Sequence, residues 1–282
     1  MRSLLFVPGD SERKITKALA AQADVVILDL EDSVAPADKP RARGLAAEAL
    51  SARRSGPKLF VRINSLSSGL AADDVAAVLP ARPEGIVLPK SNSGVDVVRL
   101  GEILIDHEEH GTTPILAIVT ETARSLFHIG TYADAGKRLL GIAWGMEDLA
   151  TALGAQSNRD DRGEPTEPYR LARTLCLVGA RAAGVEPIDA VYANFRDIAG
   201  LERQCREAVR DGFTSKMCIH PDQVAVINSA FTPAGEAVAR ARRIVEAFAA
   251  SRGAGVISLD GEMLDVPHLK AAKNLLARAS NG

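Results

Sequence analysis

Residues 24–34 read Asp24-Val25-Val26-Ile27-Leu28-Asp29-Leu30-Glu31-Asp32-Ser33-Val34, in which a mostly apolar run, Val25–Leu30, passes into a burst of acid. Such a run suits a strand covered on both faces, as in a parallel sheet, rather than the alternation of a half-exposed strand. Seven more runs of this kind follow the same reading: Ser3–Val7, Leu59–Ile63, Gly85–Leu88, Ile115–Val119, Leu139–Ala143, Ala190–Tyr192 and Ser215–Ile219. Between them lie amphipathic segments at Glu12–Ala21, Arg41–Arg53, Asp96–His110, Pro168–Ala183 and Leu201–Asp211. Alternation of strand and helix predicts an α/β fold, and eight strands favour a closed (β/α)8 TIM barrel over an open sheet. The turn after the first strand, Val7-Pro8-Gly9-Asp10-Ser11, lacks the Gly-x-Gly-x-x-Gly fingerprint of a dinucleotide fold. The expected organisation is a barrel domain over residues 1–222 and a C-terminal helical extension over 223–282, with helices at Gly235–Ser251 and Pro267–Ala279.

The chain has 282 residues, and a barrel of roughly 250 would use most of them. The net charge of -2 gives no nucleic-acid footprint and no membrane-surface patch. No stretch approaches the roughly 20 apolar residues of a membrane span. The N-terminal apolar run is interrupted by Pro8-Gly9, too soon for a signal peptide. Cys176, Cys205 and Cys218 show neither paired nor metal-type spacing, so they read as buried small hydrophobes and point to a reducing cytoplasm.

In a barrel of this kind the chemistry sits at the C-terminal ends of the strands. Those ends carry Asp29, Glu31 and Asp32; Arg62 and Asn64; Lys90; Glu121; Glu147 and Asp148; and His220. Acids on adjacent strands with one Arg and one Lys form the donor set of a hard-cation site. Mg2+ takes one or two carboxylates and completes its shell with water and substrate, and Mn2+ is an alternative ion. Glu121 and Asp148, on neighbouring strands, are the expected pair. An α-keto or α-hydroxy acid would chelate the shared ion, and Arg62 would hold its carboxylate in bidentate geometry. Asp148 also reads as the N-cap of the helix it precedes. Lys90 offers a competing chemistry, a Schiff base with a keto acid, or else a salt bridge to a neighbouring carboxylate. His107 and His110, spaced His-Glu-Glu-His, lack the zinc-protease pattern and read as a solvated helix face. Trp144 reads as barrel packing. The acidic stretch Gln156–Pro168 reads as a lid or as a solvated surface loop.

Taken in order, several segments are similar to one known family. They are Leu5-Phe6-Val7-Pro8-Gly9; Asp24 to Val34 with Lys39 and Arg41-Ala42-Arg43; Val61-Arg62-Ile63-Asn64; Leu88-Pro89-Lys90; Glu121-Thr122-Ala123; Gly145-Met146-Glu147-Asp148-Leu149; Gly212-Phe213 with Lys216 and Cys218-Ile219-His220-Pro221; and Asp260-Gly261 with Met263-Leu264-Asp265. The chain resembles the citrate lyase beta-subunit-like group of the HpcH/HpaI aldolase superfamily, relatives of malyl-CoA and citramalyl-CoA lyases. The resemblance implies a Mg2+-dependent barrel, usually trimeric, that breaks or forms a carbon–carbon bond in a β-hydroxyacyl-CoA to give a keto acid. It places the metal on Glu121 and Asp148, the acid's carboxylate on Arg62, and substrate against Gly145, Met146 and Glu147. It puts Lys216 and His220 on the CoA side. It makes Asp265 the acid/base carboxylate, delivered into a neighbouring subunit's barrel by the C-terminal extension. Two other outcomes share the resemblance: a beta subunit acting on a carrier-bound citryl group beside citrate lyase alpha and gamma subunits, and a malyl-CoA thioesterase.

Overall fold

The structure is a computed structural model, and it describes residues 1–52, 55–108, 112–251 and 253–280. Eight parallel strands close into one barrel in sequence order. They are β1 (Ser3–Pro8), β2 (Val25–Asp29), β3 (Lys58–Arg62), β4 (Gly85–Ser91), β5 (Ile115–Val119), β6 (Leu139–Trp144), β7 (Glu186–Asp189) and β8 (Ser215–Cys218). Ser3–Leu5 of β1 pair with Lys216–Cys218 of β8, which closes the ring. Helices α1 (Glu12–Leu19), α2 (Lys39–Ala52), α3 (Ala71–Val78), α4 (Gly94–Ile105), α5 (Glu147–Leu153), α6 (Glu167–Ala183), α7 (Ile198–Asp211) and α8 (Asp222–Phe231) form the outer layer. The TIM-barrel reading therefore holds.

Side-chain alternation builds two cores from the same strands. In β5, Ile115, Ala117 and Val119 face the helices, while Leu116 and Ile118 fill the barrel interior. Leu4, Ile27, Phe60, Val87, Ile188 and Met217 join that interior, so the barrel is packed and closed below the mouth. The crossover from β5 to β6 uses 3-10 turns at Ser125–Phe127 and Ile129–Asp134. Two glycines let helices close on it. A Cβ on Gly94 of α4 would stand 2.2 Å from the Thr131 carbonyl oxygen, and one on Gly179 of α6 would stand 2.3 Å from Ile129 Cγ2.

Three differences from expectation bear on the mouth and the extension. The seventh strand is Glu186–Asp189, and the run Ala190–Tyr192 is a loop beyond its end. Glu186 and Pro187 disguise the strand, yet Gly141 pairs with Glu186 and Asp189 with Lys216 in the ladder. The barrel does not stop at residue 222. Val224, Ile227 and Phe231 of α8 are buried in the main core, so the break falls after Phe231. The extension is not purely helical: between α9 (Gly235–Ala250) and α10 (Val266–Ser280) runs an antiparallel hairpin of β9 (Val256–Leu259) and β10 (Glu262–Asp265). It has its own small core of Ala241, Ile244, Phe248, Leu264 and Ala272. Arg53 and His110, the expected ends of two helices, lie outside the described residues.

The extension docks at the N-terminal end of the barrel. A cavity of ≈ 580 Å³ lies there between Arg2, Leu140, Glu186 and Thr214 of the barrel and Val238, Arg242 and Arg278 of α9 and α10. It is larger than the cavity at the C-terminal mouth, but the clustered carboxylates are at the mouth. Among the described residues no helix is long and apolar enough to cross a membrane.

Candidate active site

The C-terminal mouth holds a cavity of ≈ 100 Å³ lined by Arg62, Glu121, Gly145, Met146, Glu147 and Asp148, with Ile118 and Met217 among its apolar walls. The expected metal ligands, the expected carboxylate binder and the Gly145–Glu147 segment thus meet in one place.

Glu121 reaches this cavity through a broken pattern. Continued alternation from Leu116 and Ile118 would point Thr120 inward and Glu121 toward the helices. Thr120 instead adopts φ 73°, in the left-handed region that β-branched residues avoid. The chain turns there and Glu121 lines the mouth. Lys90, at the end of β4, is also left-handed, with φ 51°. Its backbone N–H donates to Glu121 Oε2 at 2.5 Å. Each such residue costs on the order of 1–3 kcal/mol, so the surrounding bonds must over-determine it. The Thr120 N–H donates to Ser125 Oγ at 3.1 Å, and the Gly145 N–H donates to Thr120 Oγ1 at 3.3 Å. Gly145 is needed for another reason: a Cβ there would stand 2.6 Å from Glu121 Cγ.

Glu121 is 5% exposed. Burial, followed by the nearby Asp148 carboxylate, pushes its carboxyl up to about 8. A buried acid held beside a second acid is poised for a cation. Among the described residues no group of three or more His, Cys, Asp or Glu side chains is arranged to hold a metal. Two carboxylates with room for water and substrate fit a hard divalent ion, which does not need an all-protein cage.

Arg62 is committed more deeply than expected. Its Nε and Nη2 donate to the two oxygens of Asp29, each at 2.6 Å. Its Nη1 stands 3.1 Å from Glu31 Oε2, close but not aligned as a hydrogen bond, and that buried oxygen has no hydrogen-bond partner. Burial alone would raise the Asp29 carboxyl, but Arg62, Ser33 and the Glu31 N–H hold it below its ordinary range. The bidentate edge expected for substrate is thus taken by Asp29, and only the remainder of the guanidinium is left for a ligand. Lys90 Nζ binds Glu31 Oε1 at 2.6 Å and Asp32 Oδ2 at 2.8 Å, and lies 3.5 Å from Asp148 Oδ1. Burial lowers its proton affinity, but Asp32 and Glu31 outweigh this and raise it above the ordinary lysine value. An ammonium so held is a poor nucleophile, which weighs against the Schiff-base chemistry.

Lys216 departs from the expectation. Its side chain is fully buried on the helix-facing side of β8, where Nζ binds Asp189 Oδ2 at 2.8 Å, the Ala190 carbonyl at 2.7 Å and Gln204 Oε1 at 3.0 Å. It touches no open surface. Its neighbour Met217, one step along the strand, is the residue that faces the mouth. Asp189 also accepts from Trp144 Nε1 at 2.8 Å, so Lys216 braces a wall of the cavity from behind. His220 is half-buried at the mouth and stacks on Phe195, with centroids 4.6 Å apart. Asp265 is elsewhere: at the end of β10 it is half-exposed and bonded to His268 Nδ1 at 2.6 Å. That imidazole holds its carboxyl below the ordinary range. Of the loop Gln156–Pro168, Asn158 donates to Glu147 Oε2 at 2.8 Å, which ties it to the rim.

The clamp of Asp29 on Arg62 and the two left-handed residues were not visible in the sequence. The only signal for the first was the acid density after β2.

Comparison with known proteins agrees with this geometry. A family model described as HpcH/HpaI aldolase/citrate lyase matches residues 2–221. Citramalyl-CoA lyase, mitochondrial, of Rattus norvegicus is 35% identical, over 99% of this chain and 86% of its own length. A (3S)-malyl-CoA thioesterase of Cereibacter sphaeroides is 34% identical, over 99% of this chain and 94% of its own. A solved structure of the protein CitE from Mycobacterium tuberculosis, in complex with magnesium, acetoacetate and coenzyme A, superposes with a TM-score of 0.78 at 36% identity, covering 99% of this chain and 98% of that one. The barrel, its mouth and these full-length matches agree: the chain belongs to the HpcH/HpaI aldolase/citrate lyase family.

Proposed function

We propose that the chain is a Mg2+-dependent carbon–carbon lyase acting on a β-hydroxyacyl-CoA such as citramalyl-CoA, malyl-CoA or citryl-CoA. The products are acetyl-CoA or propionyl-CoA and a keto acid, and the same site runs in reverse. The observation that carries this is the convergence of Glu121 and Asp148 with Arg62 in one small cavity at the barrel mouth. Glu121 and Asp148 would hold the ion, which supplies Lewis-acid polarisation of the keto acid's oxygens. The part of Arg62 not taken by Asp29 pairs the keto acid's carboxylate. In cleavage the hydroxyl proton leaves to a base, the bond between the carbinol carbon and the thioester α-carbon breaks, and its electron pair becomes a thioester enolate. Asp265, brought by the extension of a neighbouring subunit in a homotrimer, then protonates that carbon, and in condensation it removes the same proton. Such a group contributes on the order of 100- to 10,000-fold. His220 and Phe195 stand on the side where the CoA enters, and Lys216 acts only by holding the wall behind Trp144.

The test is a panel of citramalyl-, malyl- and citryl-CoA with the isolated protein, assayed for acyl-CoA and keto acid in Mg2+ and again in EDTA. Cleavage that EDTA abolishes and Mg2+ or Mn2+ restores is the expected result. Cleavage indifferent to EDTA, with borohydride trapping of keto acid on Lys90, would overturn the metal reading. The likeness to a malyl-CoA thioesterase favours one second reading, and it is told apart in the same assay by free CoA and malate in place of acetyl-CoA and glyoxylate.

A further inference from the structure

The cleft between the N-terminal end of the barrel and the extension has a volume of ≈ 580 Å³, within the roughly 300–1,000 Å³ usual for small-molecule sites. It is open to solvent and has two unlike sides. Leu140, Phe231 and Val238 give it an apolar side. Its charged lining is Arg2, Arg242 and Arg278 against one acid, Glu186. Arg2 is taken by Asp24, with Nη2 and Oδ1 2.7 Å apart, and Glu186 accepts from the Thr214 hydroxyl. Among the described residues the guanidinium groups of Arg242 and Arg278 have no ion-pair or hydrogen-bond partner.

These two arginines differ in setting. Arg242 of α9 is exposed and solvated, whereas Arg278, in the last turn of α10, is half-buried. Burial, and then the nearby Arg181 guanidinium, lowers its proton affinity below the ordinary arginine value, although Glu186 acts the other way. A partly desolvated cation beside another cation is unfavourable until an anion joins it. The first residue of α9, Gly235, also lines the cleft, and no side chain caps that helix. Its first N–H groups and its dipole therefore favour negative charge at the same place. An inorganic ion would use the cations alone and leave Phe231 and Leu140 facing water. An anion carried on an apolar body uses both sides of the cleft.

We propose that this cleft binds an organic anion, a carboxylate or phosphate on an apolar body of medium-chain size. The head pairs with Arg242 and Arg278, and the body lies on Leu140, Phe231 and Val238. The site is separate from the mouth, since no residue lines both cavities. Leu140 belongs to the barrel, and Arg242 and Arg278 belong to the extension, so the bound anion ties the extension to its own barrel. Asp265 rides on that extension, so occupancy of the cleft changes turnover without touching the metal pair. Only this last, regulatory step rests on the lyase reading.

Calorimetric titration of the full chain with octanoate, octyl phosphate, inorganic phosphate and 1-octanol separates head from body. Octanoate or octyl phosphate should saturate and bind about tenfold or more tighter than either inorganic phosphate or 1-octanol. The tighter of the two tells a carboxylate ligand from a phosphate one. Arg242→Gln and Arg278→Gln should each weaken that binding about tenfold, while Mg2+ and pyruvate at the mouth leave it unchanged. Hydrogen exchange in the unaltered protein should slow across residues 231–242 when the anion binds, and not across residues 145–148. No saturable binding of either anion, 1-octanol bound as tightly as both, or protection confined to the mouth would overturn the proposal, even if both variants failed to fold. Variants that fold and bind as well as the unaltered protein would overturn it too. Citramalyl-CoA cleavage unchanged at saturating anion would overturn the regulatory step. If no thioester is cleaved at all but the anion binds as described, the lyase reading fails and the site stands.

Discussion

Gly145→Ala is the most direct probe of how the mouth is built. The added Cβ would stand 2.6 Å from Glu121 Cγ and 3.1 Å from Glu121 Oε1. Carbon atoms in ordinary contact sit about 3.5–4.0 Å apart, so something must move by about 1 Å. Glu121 has little room to yield. It is buried, tied by Oε2 to the Lys90 N–H, and carried by a left-handed Thr120. Gly145 is itself held by its bond to Thr120 Oγ1. The displacement therefore falls on the Glu121 carboxylate or on the turn that bears Asp148. A misplacement of about 1 Å in a catalytic constellation can cost about 100-fold in rate, or about 2.7 kcal/mol of barrel-mouth stabilisation of the transition state. Affinity for Mn2+, followed by its electron paramagnetic resonance signal, should weaken about 10- to 100-fold. Overpacking should cost about 1–3 kcal/mol of stability. Gly44→Ala in α2 is the control, since a Cβ there meets nothing within 4 Å, and it should leave both readouts unchanged and raise stability by about 0.5–1 kcal/mol. If Gly145→Ala binds Mn2+ and cleaves thioester as well as that control, Glu121 is not held as described.

Glu121→Gln tests the electrostatics in the metal-free protein. The carboxyl is held up at about 8, above its ordinary 4.5, so the fold binds an extra proton between those values. That stabilisation is whole below pH ~4.5 and lost as pH rises through ~8. In EDTA the variant's Tm should match the unaltered protein's near pH 5 and exceed it at pH 8.5, and equal differences at both would contradict the cause assigned. Lys216→Met removes the ammonium from buried Asp189 but leaves the Arg173 guanidinium 3.2 Å away, and should cost about 1.5–3 kcal/mol, lowering Tm by about 6 °C. The KM for the CoA thioester in the folded fraction should not change, whereas a raised KM at unchanged Tm would return Lys216 to the CoA wall. Asp265→Asn should abolish turnover while leaving Mn2+ and pyruvate binding intact. Co-refolding it with Glu121→Gln should restore part of the activity, because some sites then combine an intact mouth with an intact Asp265. No recovery in assembled mixtures would remove the neighbouring-subunit arrangement.

What the sequence disclosed and what it hid follow from the range of the interactions involved. The strands were legible because both faces of each are buried, leaving runs such as Val25–Leu28 without polar interruption. The seventh strand was not, because Pro187 and Glu186 occupy it and the apolar run beyond it belongs to the loop bordering the mouth. Glu121, Asp148 and Arg62 were legible because strand ends in such a barrel converge. The partners of Arg62 were not, since nothing local distinguishes an acid that clamps a guanidinium from one that waits for a ligand. Lys216 misled for a related reason. Residues next to one another on a strand point to opposite sides of the barrel wall, so proximity in sequence to Met217 places its charge behind the mouth rather than in it.

The position of Asp265 bears on why an extension with its own core is attached to a complete barrel. The hairpin that carries it packs on α9 and α10, two helices that meet the barrel at its N-terminal end, while the carboxylate pair sits at the C-terminal end. Strands of four to seven residues, rising about 3.3 Å per residue, separate the two ends. Within its own chain Asp265 has the surroundings of an ordinary surface acid, exposed and paired with His268. The acid/base role proposed for it, giving and taking a proton at carbon, needs a drier setting than that. Met263, Val256 and Val266 beside it are exposed apolar side chains, at 78%, 51% and 42%. Covering them against the mouth of another copy would bury apolar surface and desolvate Asp265 in one step. It would also take Asp265 out of the solvent that its side chain now half meets. Under the proposed function, the extension's core would present the hairpin outward to the barrel of a neighbouring subunit.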